Sequence, residues 1–422
     1  MTKPKVLDLF AGCGGLSCGL EMAGFSVIAG NDIVEAAGES HRANHPSSKF
    51  FLGSITDSEV RASIIAHAQA SNCDVVVGGP PCQAYSLAGK RDVDDERGHL
   101  FEDYVAVVQS VRPKVFVMEN VKGLLSMRHD REELSASERR SLDQIKDLER
   151  EQLDLRKRRK QSKNTARITF SDADSDRLES ISSTLKKLRT DTATLRESVP
   201  DRIVSRFRDI GYRVEYRLLN AADFGVPQRR ERVIFIGTRL DIPIHFPTPT
   251  HADPSLQNAG ELFPVRLPAW VTTREAIGDL ENREEDIPWS HEFTAHSPTF
   301  VERLRSTPVG GSVYEGFSDA WYRQPPDEPS RTVKENHGGV FVHYSQPRVL
   351  TPRELARLQS FPDSFLFSGR KSKVLVQIGN AVPPRLGEAI GRAVLRMLSG
   401  TASSALRRGL PDSNTARARI SA

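Results

Sequence analysis

Five short apolar runs constrain this chain more than any other feature: KVLDLF (5–10), VIAGND (27–32), DVVVGG (74–79), KVFVMEN (114–120) and RVIFIGT (232–238). Helical patterns near 15–23, 34–44, 57–70 and 101–110 separate the first four. Strand-like runs alternating with amphipathic segments predict βαβ units and an α/β fold. In such sheets ligands sit outside the carboxyl ends of the strands. The chemically distinctive residues occupy those ends: the FAGCGG glycines, Asp32, Cys82 and Glu119.

At the first end, Gly12, Gly14 and Gly15 allow a tight turn and close approach of a ligand to the backbone. Ser17 stands where G-x-G-x-x-G needs its third glycine, which disfavours a dinucleotide. Asp32, ending the second run, is placed to accept ribose hydroxyls, although an Asp there also serves as a turn or helix cap. In GGPPCQAYS (78–86) two prolines stop a strand and present Cys82 from a stiff backbone. The plain alternative is a small apolar cysteine in a turn. Glu119 closes a run too apolar to expose it casually, so it is paired or functional. Arg230 and Arg232 alternate at the entry to the last run and are expected to point to one side, as anion or carbonyl clamps or as a solvated strand entry.

The 422 residues, 38% hydrophobic and 27% charged, suffice for one or two substantial cores. Four cysteines without a C-x-x-C pair or matching histidine spacing argue against zinc and against a disulfide framework. No secretory apolar segment follows the first residues and no run is long enough to span a membrane, so a cytoplasmic protein is expected, with no membrane partner. The net charge is +4, but residues 128–197 hold 18 Lys/Arg against 15 Asp/Glu and the tail 399–422 holds four Arg against Asp412. The remainder is net negative, so any DNA-binding face must be a local patch.

From Leu124 to Val199 there is no Gly or Pro, and Leu178, Ile181, Leu185, Leu188, Thr192 and Leu195 form a heptad seam. A partner helix over 132–160, with Ile145, Leu148 and Leu155, and a loop around 161–175 predict an antiparallel coiled-coil hairpin. RKRRK at 156–160 is either a solvated helix face or a grip for DNA phosphates or a partner protein. Residues 241–349 change character, with many prolines and segments such as PVGGS and PPDEPSRTVKENHGG.

The glycine turn, GGPPCQAYS, ENV, QRRER, LTPRELARLQSFPD (350–363) and QIGNAVPP (377–384), in that order, closely resemble the bacterial DNA (cytosine-5)-methyltransferases of restriction-modification systems. The resemblance implies a Rossmann-like, S-adenosylmethionine-dependent catalytic domain in pieces 1–127 and 198–240, a smaller target-recognition domain at 241–349, and a hinge and return at 350–398. The hairpin at 128–197 interrupts it and a basic tail at 399–422 follows. S-adenosylmethionine is the implied cofactor, without a metal. Phe10, Gly12, Gly14 and Leu16 would surround it, Asp32 would hold the ribose, Pro80 and Leu100 would line the pocket, and Asn380 and Ala381 would close it. Ser54 stands in GSI where the family has GDI, with an Asp on the adenine.

Chemistry gives each catalytic position a reason. A thiolate from Cys82 adding to carbon 6 of cytosine makes carbon 5 nucleophilic. Glu119 provides an acid at nitrogen 3, and Arg232, with Arg230 in support, a cation near the exocyclic oxygen. The target must be flipped from the duplex, and QAYSLAGKRDVDDERG after Cys82 reads as a lid. Expected DNA contacts are Gln83, Ser86, Arg323, Arg331, Lys334 and Asn336, with His337 beside them. Implied partners are double-stranded DNA, bound as a monomer in the nucleoid, and a cognate restriction endonuclease. A tRNA cytosine-5 methyltransferase and a non-catalytic DNA-binding relative are the alternative readings.

Overall fold

The structure, a computed structural model, describes residues 2–81, 100–131, 133–162, 169–255, 267–314, 321–335 and 341–408. They form two compact units, one containing Gly123–Ser205 and the other the described parts of Met1–Ala84, Lys90–Lys122 and Arg206–Ala422. The segment expected to read DNA sequence, 241–349, belongs to the larger unit.

In the larger unit β1 (Lys5–Leu9), α1 (Gly15–Ala23), β2 (Ser26–Asp32), α2 (Glu35–Asn44), β3 (Lys49–Leu52), α3 (Ser58–Ala70), β4 (Val75–Gly78), α4 (Leu100–Val111) and β5 (Val115–Val121) follow one another. Their strands pair in parallel in the order β3-β2-β1-β4-β5. Both faces of the sheet are covered, so β4 reads as an unbroken apolar run. Val6, Val75, Val77 and Val117 face one layer of the core. On the other side Phe116 stacks on Phe207, with ring centroids 3.9 Å apart, beside Tyr104 of α4.

The smaller unit is an arm. A two-stranded antiparallel ribbon, β6 (Arg128–Asp130) with β7 (Arg196–Ser198), carries α5 (Ala136–Ser162) and α6 (Asp172–Asp191). Leu142, Ile145 and Leu155 of α5 are buried against Ile181 and Leu185 of α6, flanked by Leu148, Leu178, Leu188 and Leu195. Ion pairs Arg158–Asp174, Glu151–Arg177 and Glu149–Arg189 run in opposite directions along the two helices, so the packing is antiparallel. Ser171 starts α6 through a capping box with Asp174.

After α7 (Val199–Asp209) come β8 (Arg213–Asn220) and β9 (Glu231–Thr238). The last of the five apolar runs departs from the βαβ expectation: β9 lies antiparallel between β5 and β8. The ten residues between β8 and β9 are too few for a crossover helix, so the chain must return beside β8 in the opposite direction.

Beyond β9 regular structure is sparse: α8 (Thr273–Ile277), α9 (Pro298–Ser306), and a short parallel pair, β10 (Tyr322–Arg323) with β11 (Phe341–Val342). Then α10 (Pro352–Leu358) and α11 (Lys371–Asn380) join Tyr322, Phe341, Phe361 and Phe365 in a second core that also takes Cys13 from the glycine turn. Finally α12 (Pro384–Arg408) lays Leu386, Ile390 and Val394 in the same core as Leu16 and Leu20 of α1.

Candidate active site

The turn after β1 is built for close approach. Phe10 and Gly12 have positive φ, +56° and +55°, and Gly14, at +96°, is the N-cap residue of α1. A Cβ on Gly12 would meet no atom within 4 Å, so the backbone there borders open space. The Gly12 amide donates to Asp32 Oδ2 at 2.9 Å and the Val34 amide to Asp32 Oδ1 at 3.0 Å. Burial raises the Asp32 pKa against these two bonds. Each of its oxygens keeps further acceptor capacity for a hydroxyl donor. Leu16 turns its side chain into the core. Ser54 has its hydroxyl 2.7 Å from Thr56 Oγ1 and accepts from the Thr56 amide. Leu100 opens α4, partly buried.

Beneath this turn lies a polar network that the sequence reading missed. Ser17 Oγ donates to the buried Asp8 at 2.7 Å and stands 3.5 Å from His41 Nε2. The rings of His41 and His45 lie 4.6 Å apart, and His45 reaches Glu21 at 2.8 Å and the Gly14 carbonyl at 3.3 Å. Burial pushes Asp8 up to about 7 and His41 down to about 3. The one signal in the sequence is an Asp in the middle of an apolar strand.

At the end of β4, Pro80 is buried and its carbonyl accepts from Asn120 Nδ2 at 3.0 Å, which ties the proline turn to β5. A Cβ on Gly79 would come within 2.9 Å of Glu119 Oε2, so the turn passes directly over that carboxylate. Glu119 in turn pairs with Arg232 Nε at 2.7 Å, the two side chains being 14% and 12% exposed. Sheet register explains the pairing. Glu119 stands opposite Ile234, two residues from Arg232, and the antiparallel course of β9 brings its entry to the carboxyl end of β5. Cys82, Gln83, Ser86, the expected lid, Asn336 and His337 lie outside the described residues.

Arg230 is a buried clamp: its Nη1 donates to the Val333 carbonyl, and its Nη2 to those of Gly379 and Ala381, at 2.8 to 3.0 Å. Burial pushes its pKa down to about 9. It thus fastens the returning Asn380–Ala381 segment to β9, and Asn380 donates to Glu335 at 3.0 Å. Gln228, also buried, bonds Leu358, Gln359 and Val333, joining QRRER to the LTPRELARLQ helix.

Arg323, expected to touch DNA, does not lie on the surface. It is 4% exposed, and its guanidinium is consumed by the carbonyls of Thr307, His343, Gln346 and Leu304. Arg331 stacks over Tyr322, 3.6 Å from the ring centroid, and Lys334 is exposed. Among the described residues no group of His, Cys, Asp and Glu could hold a metal, and no helix is long and apolar enough to cross a membrane.

Comparison with known proteins identifies the family. The profile described as C-5 cytosine-specific DNA methylase matches residues 4–152 and 185–396. The Type II methyltransferase M1.HphI of Haemophilus parahaemolyticus is 33% identical over 406 residues, 93% of this chain and 86% of that protein. M.NgoFVII of Neisseria gonorrhoeae is 30% identical over 412 residues, 94% and 88% of the two chains. Among solved structures, a prophage-encoded E. coli chain described as a DNA modification methyltransferase superposes with TM-score 0.60 at 22% identity, covering 94% of this chain and all of the other. Dnmt2 methyltransferase of S. pombe gives 0.51 at 15% identity, covering 95% and 99%. The extent of the profile match and the identity across nearly the whole length show that this chain belongs to the C-5 cytosine-specific DNA methylase family.

Proposed function

We propose that this enzyme transfers a methyl group from S-adenosylmethionine to carbon 5 of a flipped cytosine in a specific double-stranded DNA sequence, as the modification half of a Type II restriction-modification system in the cytoplasm. The observation that carries the reading is the Glu119–Arg232 pair under the Gly79–Pro80 turn, immediately before Cys82. S-adenosylmethionine supplies an electrophilic methyl group. Asp32, fixed by the Gly12 amide, would hold its ribose, with Phe10, Gly12, Gly14, Pro80, Leu100, Asn380 and Ala381 around it.

Cys82, as thiolate, forms a bond to carbon 6, and the displaced ring π pair makes carbon 5 nucleophilic. Glu119 protonates or hydrogen-bonds nitrogen 3 as negative charge develops, and Arg232 orients Glu119 while stabilising the exocyclic oxygen. Once carbon 5 carries the methyl group it must lose its proton to a base, after which the carbon 6–sulfur bond breaks and the thiolate leaves. The residues after Cys82 close over the flipped base, and Gln83, Ser86, Arg331, Lys334 and Asn336 hold the DNA. A cognate endonuclease cutting the same unmethylated site is the expected companion.

The test is a duplex whose target cytosine, located by bisulfite sequencing of a genome expressing the enzyme, carries fluorine at carbon 5. Fluorine cannot leave as a cation, so methylation stalls before elimination. A cofactor-dependent adduct that survives denaturing electrophoresis and maps to Cys82, absent in Cys82→Ser, is expected. Turnover of the fluorinated duplex without that adduct would refute the assignment of Cys82.

A further inference from the structure

The arm distributes its charge unevenly. Residues 136–154 of α5 carry four Lys/Arg against six Asp/Glu, whereas residues 155–162 carry five Lys/Arg and no acid. About 30 Å of helix separates the start of α5 from Arg156, at 1.5 Å per residue. Along the shaft the charges are matched within the arm: Lys146 with Asp130, Glu149 with Arg189, Glu151 with Arg177. Towards the tip the match is partial: the first turns of α6 carry Asp172, Asp174, Asp176 and Glu179 against the five cations of α5, and among the described residues only Arg158–Asp174 pairs the two sets.

Arg156, Lys157, Arg158, Arg159 and Lys160 are all exposed. Arg158 pairs with Asp174 at 3.3 Å and Arg159 lies over Phe170. Lys157 reaches only Asp154 of its own helix, at 3.7 Å. Arg156 and Lys160, four residues apart and so on one face, make no ion pair among the described residues. The dipole at a helix C-terminus favours a cation or two in the last turn, which does not account for five in succession. The family profile passes over residues 153–184, so the basic tip lies outside the part of the chain that the profile matches.

We propose that this tip, through Arg156, Lys157 and Lys160, grips the phosphates of duplex DNA, a second hold that reads no base. The inference rests on DNA being the substrate, the nearest polyanion at hand, with one negative charge per about 1.7 Å of duplex. Three side chains on compact phosphates would each release condensed counterions on binding. The hold would therefore appear as salt dependence.

The experiment compares the full-length enzyme with the triple variant Arg156→Gln, Lys157→Gln, Lys160→Gln, whose changes fall on exposed helix positions and keep good helix formers. Dissociation constants for one duplex containing the target are measured from low to moderate potassium chloride, together with kcat at saturating DNA. The variant should bind roughly ten- to a hundredfold more weakly near physiological salt, and the slope of log affinity against log salt should be shallower by about 2 to 3, three contacts at about 0.9 each. Its kcat should stay within about twofold of the parent. Equal slopes and affinities overturn the proposal, which is also the outcome if the tip serves an RNA or a protein. A fall in kcat with an unchanged slope overturns it equally. Failure of the parent enzyme to methylate cytosine would instead strike at the proposed function.

Discussion

Replacing Asp8 by asparagine should make the stability of this enzyme less sensitive to a rise in pH. Asp8 sits inside β1, 1% exposed, with the Ser17 hydroxyl as its hydrogen-bond donor at 2.7 Å. Burial lifts its pKa from an ordinary 3.8 to about 7, outweighing the Ser17 bond and the nearby His45. The folded state thus binds this proton more tightly than the unfolded state does. Its contribution is full below about pH 4 and is lost as pH rises through 7. A difference of about three pKa units amounts to roughly 4 kcal/mol across that window, of which about 2 to 3 kcal/mol falls between pH 5 and pH 8. Asparagine carries no charge and its oxygen can accept the Ser17 bond. Asp8→Asn should therefore gain stability relative to the parent by about 2 to 3 kcal/mol on going from pH 5 to pH 8. His41, held near 3, stays neutral across that range in the folded state, and its titration in the unfolded state is common to both proteins and drops out of their difference. Urea unfolding midpoints of both proteins at the two pH values provide the measurement. A stability difference that is the same at pH 5 and pH 8 would refute the account of Asp8 as a buried, proton-hungry carboxyl group.

Glu119→Gln removes the proton but keeps a hydrogen-bonding group, and should lower single-turnover methylation roughly a hundredfold or more while leaving cofactor affinity within a few-fold; unchanged turnover would exclude Glu119 as the acid. The Arg131 amide donates to the Leu195 carbonyl at 3.0 Å, so the two ends of the arm's helical part are already adjacent. Replacing residues 133–193 by a short Gly-Ser turn should thus leave soluble, cofactor-binding enzyme, and loss of soluble protein would show that the arm is needed for folding.

What could be read from the sequence was whatever burial imposes on it. The parallel half of the sheet announced itself because β1, β2, β4 and β5 are covered on both faces and must be apolar. β3 has only the four residues KFFL, and β8, at the open edge of the sheet, keeps its side chains largely exposed and reads RVEYRLLN, so neither stood out. The antiparallel course of β9 was hidden because periodicity carries no direction. Arg323 departs from the expectation because a guanidinium looks the same in a sequence whether it meets a phosphate or four carbonyls, and those carbonyls come from two distant segments, 304–307 and 343–346. Glu119 and Arg232 stand out individually in the sequence, but their pairing depends on strand register. Asp8 passed as one more strand residue, since nothing along the chain shows that Ser17 and two histidines gather beneath it.

The packing of α12 on α1 has a consequence for how this enzyme is made. Leu386 and Ile390 complete a core begun by Leu16 and Leu20, so some 370 residues must be translated between the two halves of one contact surface. At about 5 to 20 residues per second the ribosome takes roughly 20 to 70 seconds over that interval. Throughout it the apolar face of α1 and the glycine turn before it have no partner from α12. A chain released early would lack the Asn380–Ala381 segment held by Arg230 as well as the helix that covers α1. Synthesis itself therefore acts as a timer, and each molecule becomes a methyltransferase only after α12 has followed α1 out of the ribosome.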